Sequence, residues 1–190
     1  MERMMGNHLT LAEIAAKFAR MDGVEDDRHA PYEKALRNLV SRHFLPPTTQ
    51  QGRVFLYDSA ASLAIRLGQI ASDFGLPRTS VDTLTRWLSA SGDRKLELPE
   101  GGLMGLSHAE EAIQRAKSGE AFNVHLIMRA DRSVIVQQDW VSDRAVDDQR
   151  NARMRAALKS LGHDAGPEIA RFSLPASRII TEMLPVLGED

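Results

Sequence analysis

Lys34, Arg37, Asn38 and Ser41 recur at i, i+3, i+4 and i+7, with Arg42 beside them. At 3.6 residues per turn that spacing puts all five on one side of a helix. Arginine can donate a bidentate pair to a guanine edge and asparagine can do the same to adenine, while lysine and serine suit phosphate oxygens or base edges. Tyr32, Leu36, Leu39, Val40 and Phe44 fall on the other side and predict a face that packs. Between Arg28 and Tyr57, five cations (Arg28, Lys34, Arg37, Arg42 and Arg53) stand against the single acid Glu33. A local excess of that sign favours a polyanion, although a polar stripe with a few basic residues is also common on any solvated helix. Arg53 follows Gly52 at what reads as a hairpin tip, where it suits phosphate or the minor groove, or is an ordinary turn arginine. Thr10 is first of all a helix cap, and a helix N-terminus beside DNA can also hold phosphate.

Other chemistry has little to work with. Cysteine is absent, which excludes disulfides, thiolate metal sites, iron-sulfur clusters and a cysteine nucleophile. The histidines at 8, 29, 43, 108, 125 and 163 are scattered without metal-ligand spacing, so neither a metal nor a cofactor is expected. Gly101-Gly102-Leu103-Met104-Gly105 lacks the lysine and hydroxyl residue of a phosphate loop. Glu110-Glu111 and Asp147-Asp148 point in diverging directions on helices and read as solvated faces, and Trp87 and Trp140 read as packing residues. No catalytic constellation emerges, and an enzyme is not expected. The 190 residues carry a net charge of -2 with 43% apolar content, ordinary for a globular chain and against a general polycation. No apolar run approaches a membrane span and no secretory signal opens the chain, so a cytoplasmic protein without membrane contact is expected.

The elements that must position these residues follow from local signals. Thr10-Leu11-Ala12-Glu13 is a capping box for a first helix to about Arg20, with Leu11, Ile14, Ala15 and Phe18 as its stripe. Residues 21 to 30 read as a solvated acidic loop. The spacing then predicts a second helix over 31–44, stopped by Pro46-Pro47, and a small hairpin around Gly52-Arg53 with Val54 to Tyr57 as a strand. Asp58 or Ser59 caps a third helix striped by Ala60, Leu63, Ala64, Leu67, Ala71 and Phe74, and a fourth runs over 80–90 with Val81, Leu84 and Leu88 inward. Four glycines and Pro99 between residues 91 and 106 predict a linker. Beyond it come a helix capped by Ser107, a hairpin over 122–137, a polar helix over 143–161 with Met154, Ala157, Leu158 and Leu161 inward, a strand over 169–174 and a last helix from Pro175.

Leu9 to Ala90 resembles the MerR-like winged helix-turn-helix of bacterial and phage DNA-binding proteins. The resemblance is carried by Leu9-Thr10-Leu11-Ala12-Glu13-Ile14-Ala15, by Ala35-Leu36-Arg37 with Phe44-Leu45-Pro46-Pro47, and by Tyr57-Asp58 leading to Leu63. Asn38-Leu39 replace a frequent tyrosine pair, His43 a common glycine, and Phe55 a frequent wing arginine. The resemblance implies an N-terminal winged helix-turn-helix (residues 1–92); the glycine-rich linker (93–106) and the strand and helix stripes beyond it predict a small α+β dimerisation or effector domain with a β-hairpin (107–190), an α+β chain as a whole. The resemblance also implies a sequence-specific, double-stranded DNA-binding transcriptional regulator, read by the second helix in the major groove with Thr10, Lys34, Arg37, Asn38, Ser41, Arg42 and Arg53 on DNA. The alternative is a phage-type DNA-handling protein resembling an excisionase or small terminase subunit. The glycines near 91–106 break any long dimerisation coiled coil, so a homodimer would pair through the C-terminal half. There the expected strand face of Asn123, His125, Ile127 and Arg129 reads as a wet protein contact rather than a ligand pocket.

Overall fold

The computed structural model describes residues 7–97, 101–140 and 166–189. The expected helix over 143–161, its core-facing residues, Asp147-Asp148 and His163 lie outside the described residues.

Strand β1 (Leu9–Thr10) runs directly into helix α1 (Leu11–Met21). The capping box forms: the Glu13 N–H donates to Thr10 Oγ1, and the Thr10 N–H donates back to Glu13 Oε2 at 2.8 Å. The Thr10 backbone and hydroxyl bonds hold the Glu13 carboxyl below its ordinary pKa. A 3-10 turn (Asp26–Arg28) then leads into helix α2 (His29–Arg42). Pro31 is its third residue, inside the first turn where a missing N–H leaves no bond unmade.

The far end of α2 departs from expectation. His43 and Leu45 close the helix with N–H bonds to the carbonyls of Leu39 and Val40. Phe44 stands between them at φ 50, the left-handed position where such closures usually place glycine. The chain turns there, and Phe44, expected on the packing face, is 80% exposed.

Strands β2 (Thr49–Gln51) and β3 (Val54–Tyr57) pair antiparallel around a Gly52-Arg53 turn. Gly52 supplies the positive φ that the turn requires. Because β1 also pairs with β3, the start of α1 and the base of the hairpin are joined in one small sheet of order β1-β3-β2. Helix α3 (Ser59–Asp73) is capped by Asp58, whose Oδ1 accepts the Ala61 N–H at 2.8 Å. Helix α4 (Arg78–Ser89) buries Val81, Leu84 and Leu88 as expected.

The stretch expected to be a linker is instead mostly an antiparallel hairpin of β4 (Ser91–Glu97) and β5 (Leu103–Ser107). Gly101 and Gly102 have positive φ in its connection. Glycine clusters mark reversals and linkers alike, and here the reversal wins. Helix α5 (His108–Lys117) carries the Ser107–Glu110 capping box. Strands β6 (Val124–Arg129), β7 (Val134–Gln138) and β8 (Glu168–Leu174) form an antiparallel sheet of order β7-β6-β8, and helix α6 (Ala176–Leu187) follows.

The fold is α+β, with one apolar core running through both halves. Ile14 and Phe18 of α1, Leu63 and Leu67 of α3, Ile113 of α5 and Ile180, Met183 and Leu187 of α6 all belong to it. Two polar ties reinforce the join: Lys17 Nζ donates to the Val186 carbonyl at 2.7 Å and Asn7 Nδ2 to the Leu187 carbonyl at 3.2 Å. The boundary expected at residue 92 is therefore not a break in packing. Among the described residues, no helix is long and apolar enough to cross a membrane.

Candidate nucleic-acid interface

On α2, Lys34, Arg37, Asn38, Ser41 and Arg42 are all exposed, whereas Leu36, Leu39 and Val40 are buried against α1 and α3. Arg37 is partly engaged: its Nε and Nη2 donate to Glu33 Oε1, one turn earlier, at 2.9 and 2.5 Å. Exposed pairs of this kind contribute only about 0–1 kcal/mol, so a phosphate or guanine can displace Glu33 at little cost. At the helix end, Arg78 of α4 donates to the Arg42 carbonyl at 3.0 Å. It adds a cation where the helix dipole is negative, a member of this surface that the sequence did not suggest.

Arg53 is exposed at the hairpin tip, about 13 Å along the strand from Tyr57 at its base. Thr10 is off the α2 face, half-buried at the α1 N-terminus beside Leu56 of β3, with its hydroxyl donating to Glu13 Oε2 at 2.8 Å. The structure thus groups the five α2 residues on one face, puts Arg53 on the following hairpin, and commits Thr10 to its cap.

What orients α2 is a polar network that sequence reasoning missed. The Tyr32 hydroxyl donates to Asp22 Oδ2 at 2.7 Å and accepts from Gln69 Nε2 at 2.8 Å. Arg66 donates to Asp22 through both terminal nitrogens, and its guanidinium stands 5.2 Å from the Phe18 ring centre. Burial would raise the Asp22 pKa, but the Arg66 and Tyr32 hydrogen bonds and the Arg66 charge hold it below the usual carboxylate value. Burial pushes the Tyr32 hydroxyl up, and the bond to Asp22 pushes it further. The C-terminus of α1, the first turn of α2 and the middle of α3 are locked together. The acidic composition of residues 21–30 predicts a solvated loop, whereas Asp22 is held by Arg66 and Tyr32. The available signal was Arg66 amid the apolar stripe of α3, since a buried guanidinium needs a carboxylate.

A second network lies under α5. Glu111, expected on a solvated face, is buried, and Arg115 bonds both it and Glu120. The Arg115 guanidinium also stands 5.4 Å from the Trp140 ring, whose edge meets Phe122, while Trp87 stacks on His108 at 4.2 Å. Both tryptophans serve packing. The contact face expected on β6 is also corrected. Ile127 is only 3% exposed, and His125 is buried with Nδ1 2.9 Å from Ser173 Oγ of β8. β8 makes β6 the central strand of the sheet, with Ser173 beside His125 and Arg171 beside Ile127.

Among the described residues, no three histidine or carboxylate side chains converge to hold a metal ion. A shallow groove of about 200 Å³ lies between Leu45–Thr48 and the N-termini of α3 and α5, and its carboxylates, Asp58 and Glu110, already serve as helix caps. Comparison of the chain with protein-family models, curated proteins and solved structures returns no match.

Proposed function

We propose that the chain is a sequence-specific, double-stranded DNA-binding transcriptional regulator that lays α2 in the major groove and flanks the duplex with the β2–β3 hairpin as the wing of a winged helix-turn-helix. The observation that carries this reading is the division of α2. All five side chains able to bond DNA stand exposed on one side, and Leu36, Leu39 and Val40 are buried on the other. A major groove about 12 Å wide admits such a helix. The order helix, helix, hairpin, helix pair supports the MerR-like resemblance of the first ninety residues. The Asp22–Arg66–Tyr32 network supports it too, because direct readout needs a helix held in a set orientation. Two copies on a pseudo-palindromic site complete the reading.

The test is selection of bound duplexes from a randomised pool, followed by titration at fixed salt. Arg37→Ala should cost about 1–3 kcal/mol at the selected site and relax base preference there, whereas Lys34→Ala should weaken all sequences alike. Wild-type binding by both variants overturns the reading. A ring or filament on DNA, in place of a dimer, would favour a DNA-handling assembly protein.

A further inference from the structure

The hairpin is fastened at its base and bare at its tip. Tyr57 is buried and pairs with Leu9 of β1, and Thr48 Oγ1 accepts the Asp58 N–H at 3.0 Å. From Thr49 to Phe55 every residue is exposed. The turn is stiffened, because Gln50 Nε2 donates to the Gly52 carbonyl at 2.8 Å. Beside Arg53 this tip holds two apolar side chains in water, Val54 at 47% and Phe55 at 52% exposure.

Alternation along β3 separates their roles. Phe55 shares a sheet face with Tyr57, and Val54 shares the other with Leu56. Tyr57 is 4% exposed at the base of that face and Phe55 is 52% exposed farther along it, so the face passes from the core at the base of the hairpin to solvent at its tip. Phe55 projects about 7 Å beyond Tyr57 on that same face.

We propose that Phe55 is a wedge: with α2 in the major groove, the hairpin tip enters the neighbouring minor groove and the Phe55 ring inserts between base pairs, kinking the duplex. This rests on the DNA-binding reading above. The chemistry of the tip selects the occupant. From Thr48 to Tyr57 the one charge is Arg53, and Gln50 and Gln51 stand beside it. A cation, amides and one projecting apolar side chain are what minor-groove proteins use to read groove edges and unstack a step. One ring and one valine give too little apolar area for a stable protein contact.

The experiment uses the full chain and a duplex selected from a randomised pool, labelled with a fluorescent donor and acceptor at its ends. The wild type should bring the ends together by a bend of about 20–90°. Phe55→Ala should still bind but leave the duplex nearly straight, Phe55→Leu should keep much of the bend, and Val54→Ala, on the opposite face, should bend as the wild type does. A 2-aminopurine at the unstacked step should brighten with the wild type and not with Phe55→Ala. If the variant binds and bends like the wild type, Phe55 is no wedge and the DNA-binding reading stands. If the full chain selects no duplex, both fall. Circular dichroism of Phe55→Ala, at a half-exposed position, confirms that the variant is folded.

Discussion

Asp22→Asn should loosen the whole N-terminal helix array, because it removes the carboxylate to which Arg66 and Tyr32 both hydrogen-bond. The asparagine keeps the shape and can still accept a hydrogen bond, so what is lost is charge. Breaking a fully buried pair by removing one partner costs about 3–5 kcal/mol, since the other charge stays buried alone. Here the Arg66 side chain is 10% exposed but Asp22 is 29% exposed, and water offsets part of that cost. A loss of about 2–3 kcal/mol follows, which for a chain of this size lowers the Tm by roughly 4–12 °C. Urea unfolding at neutral pH reads the loss, and hydrogen exchange should show α2 opening more readily than α6. The pH dependence carries a sign. Asp22 has a folded pKa below its unfolded value, so its stabilisation is present above about pH 4 and is lost as pH falls through the folded pKa. The gap between wild type and variant should therefore narrow in acid. Asp22→Asn combined with Arg66→Leu should recover part of the loss, because no guanidinium is then buried without the carboxylate it bonds. Wild-type stability of the single variant at pH 7, or a gap that does not change with pH, refutes the network as the clamp on α2.

Phe44→Gly should leave stability within about 1 kcal/mol of the wild type, in contrast to the roughly 3–5 kcal/mol lost when a packed phenylalanine is truncated. Relief of a left-handed residue, about 1–2 kcal/mol, is offset by glycine's freer unfolded chain and by the little contact an 80% exposed ring makes. A loss above about 2 kcal/mol in urea would show that the ring packs. Cutting the chain after residue 92 should abolish cooperative unfolding and expose apolar surface to a dye such as ANS, because α5 and α6 supply Ile113, Ile180, Met183 and Leu187 to the shared core. A folded, sharply melting fragment would show that the N-terminal helices are sufficient to themselves.

What could be read from the sequence alone was whatever closes within a turn or two of chain. Thr10–Glu13 and Ser107–Glu110 cap their helices because both partners of each box lie three residues apart. The stripes of α1 and α4 and the polar face of α2 appear where a period of 3.6 puts them, and the Gly52-Arg53 turn follows from the need for positive φ. Tertiary structure decided everything whose partner is distant. Asp22 and Arg66 meet across 44 residues, His125 meets Ser173 only once β8 joins β6, and Glu111 is buried where α5 meets β4 and its carboxylate accepts the Arg94 N–H. The glycines of 91–106 are the instructive ambiguity, since they permit a linker and a hairpin equally. Pairing of β4 with β5, together with the seating of α5 and α6 on α1 and α3, made one core from what composition alone divides in two. Local bonds depend only on spacing, whereas burial depends on which surfaces meet, and that is settled by the whole chain at once.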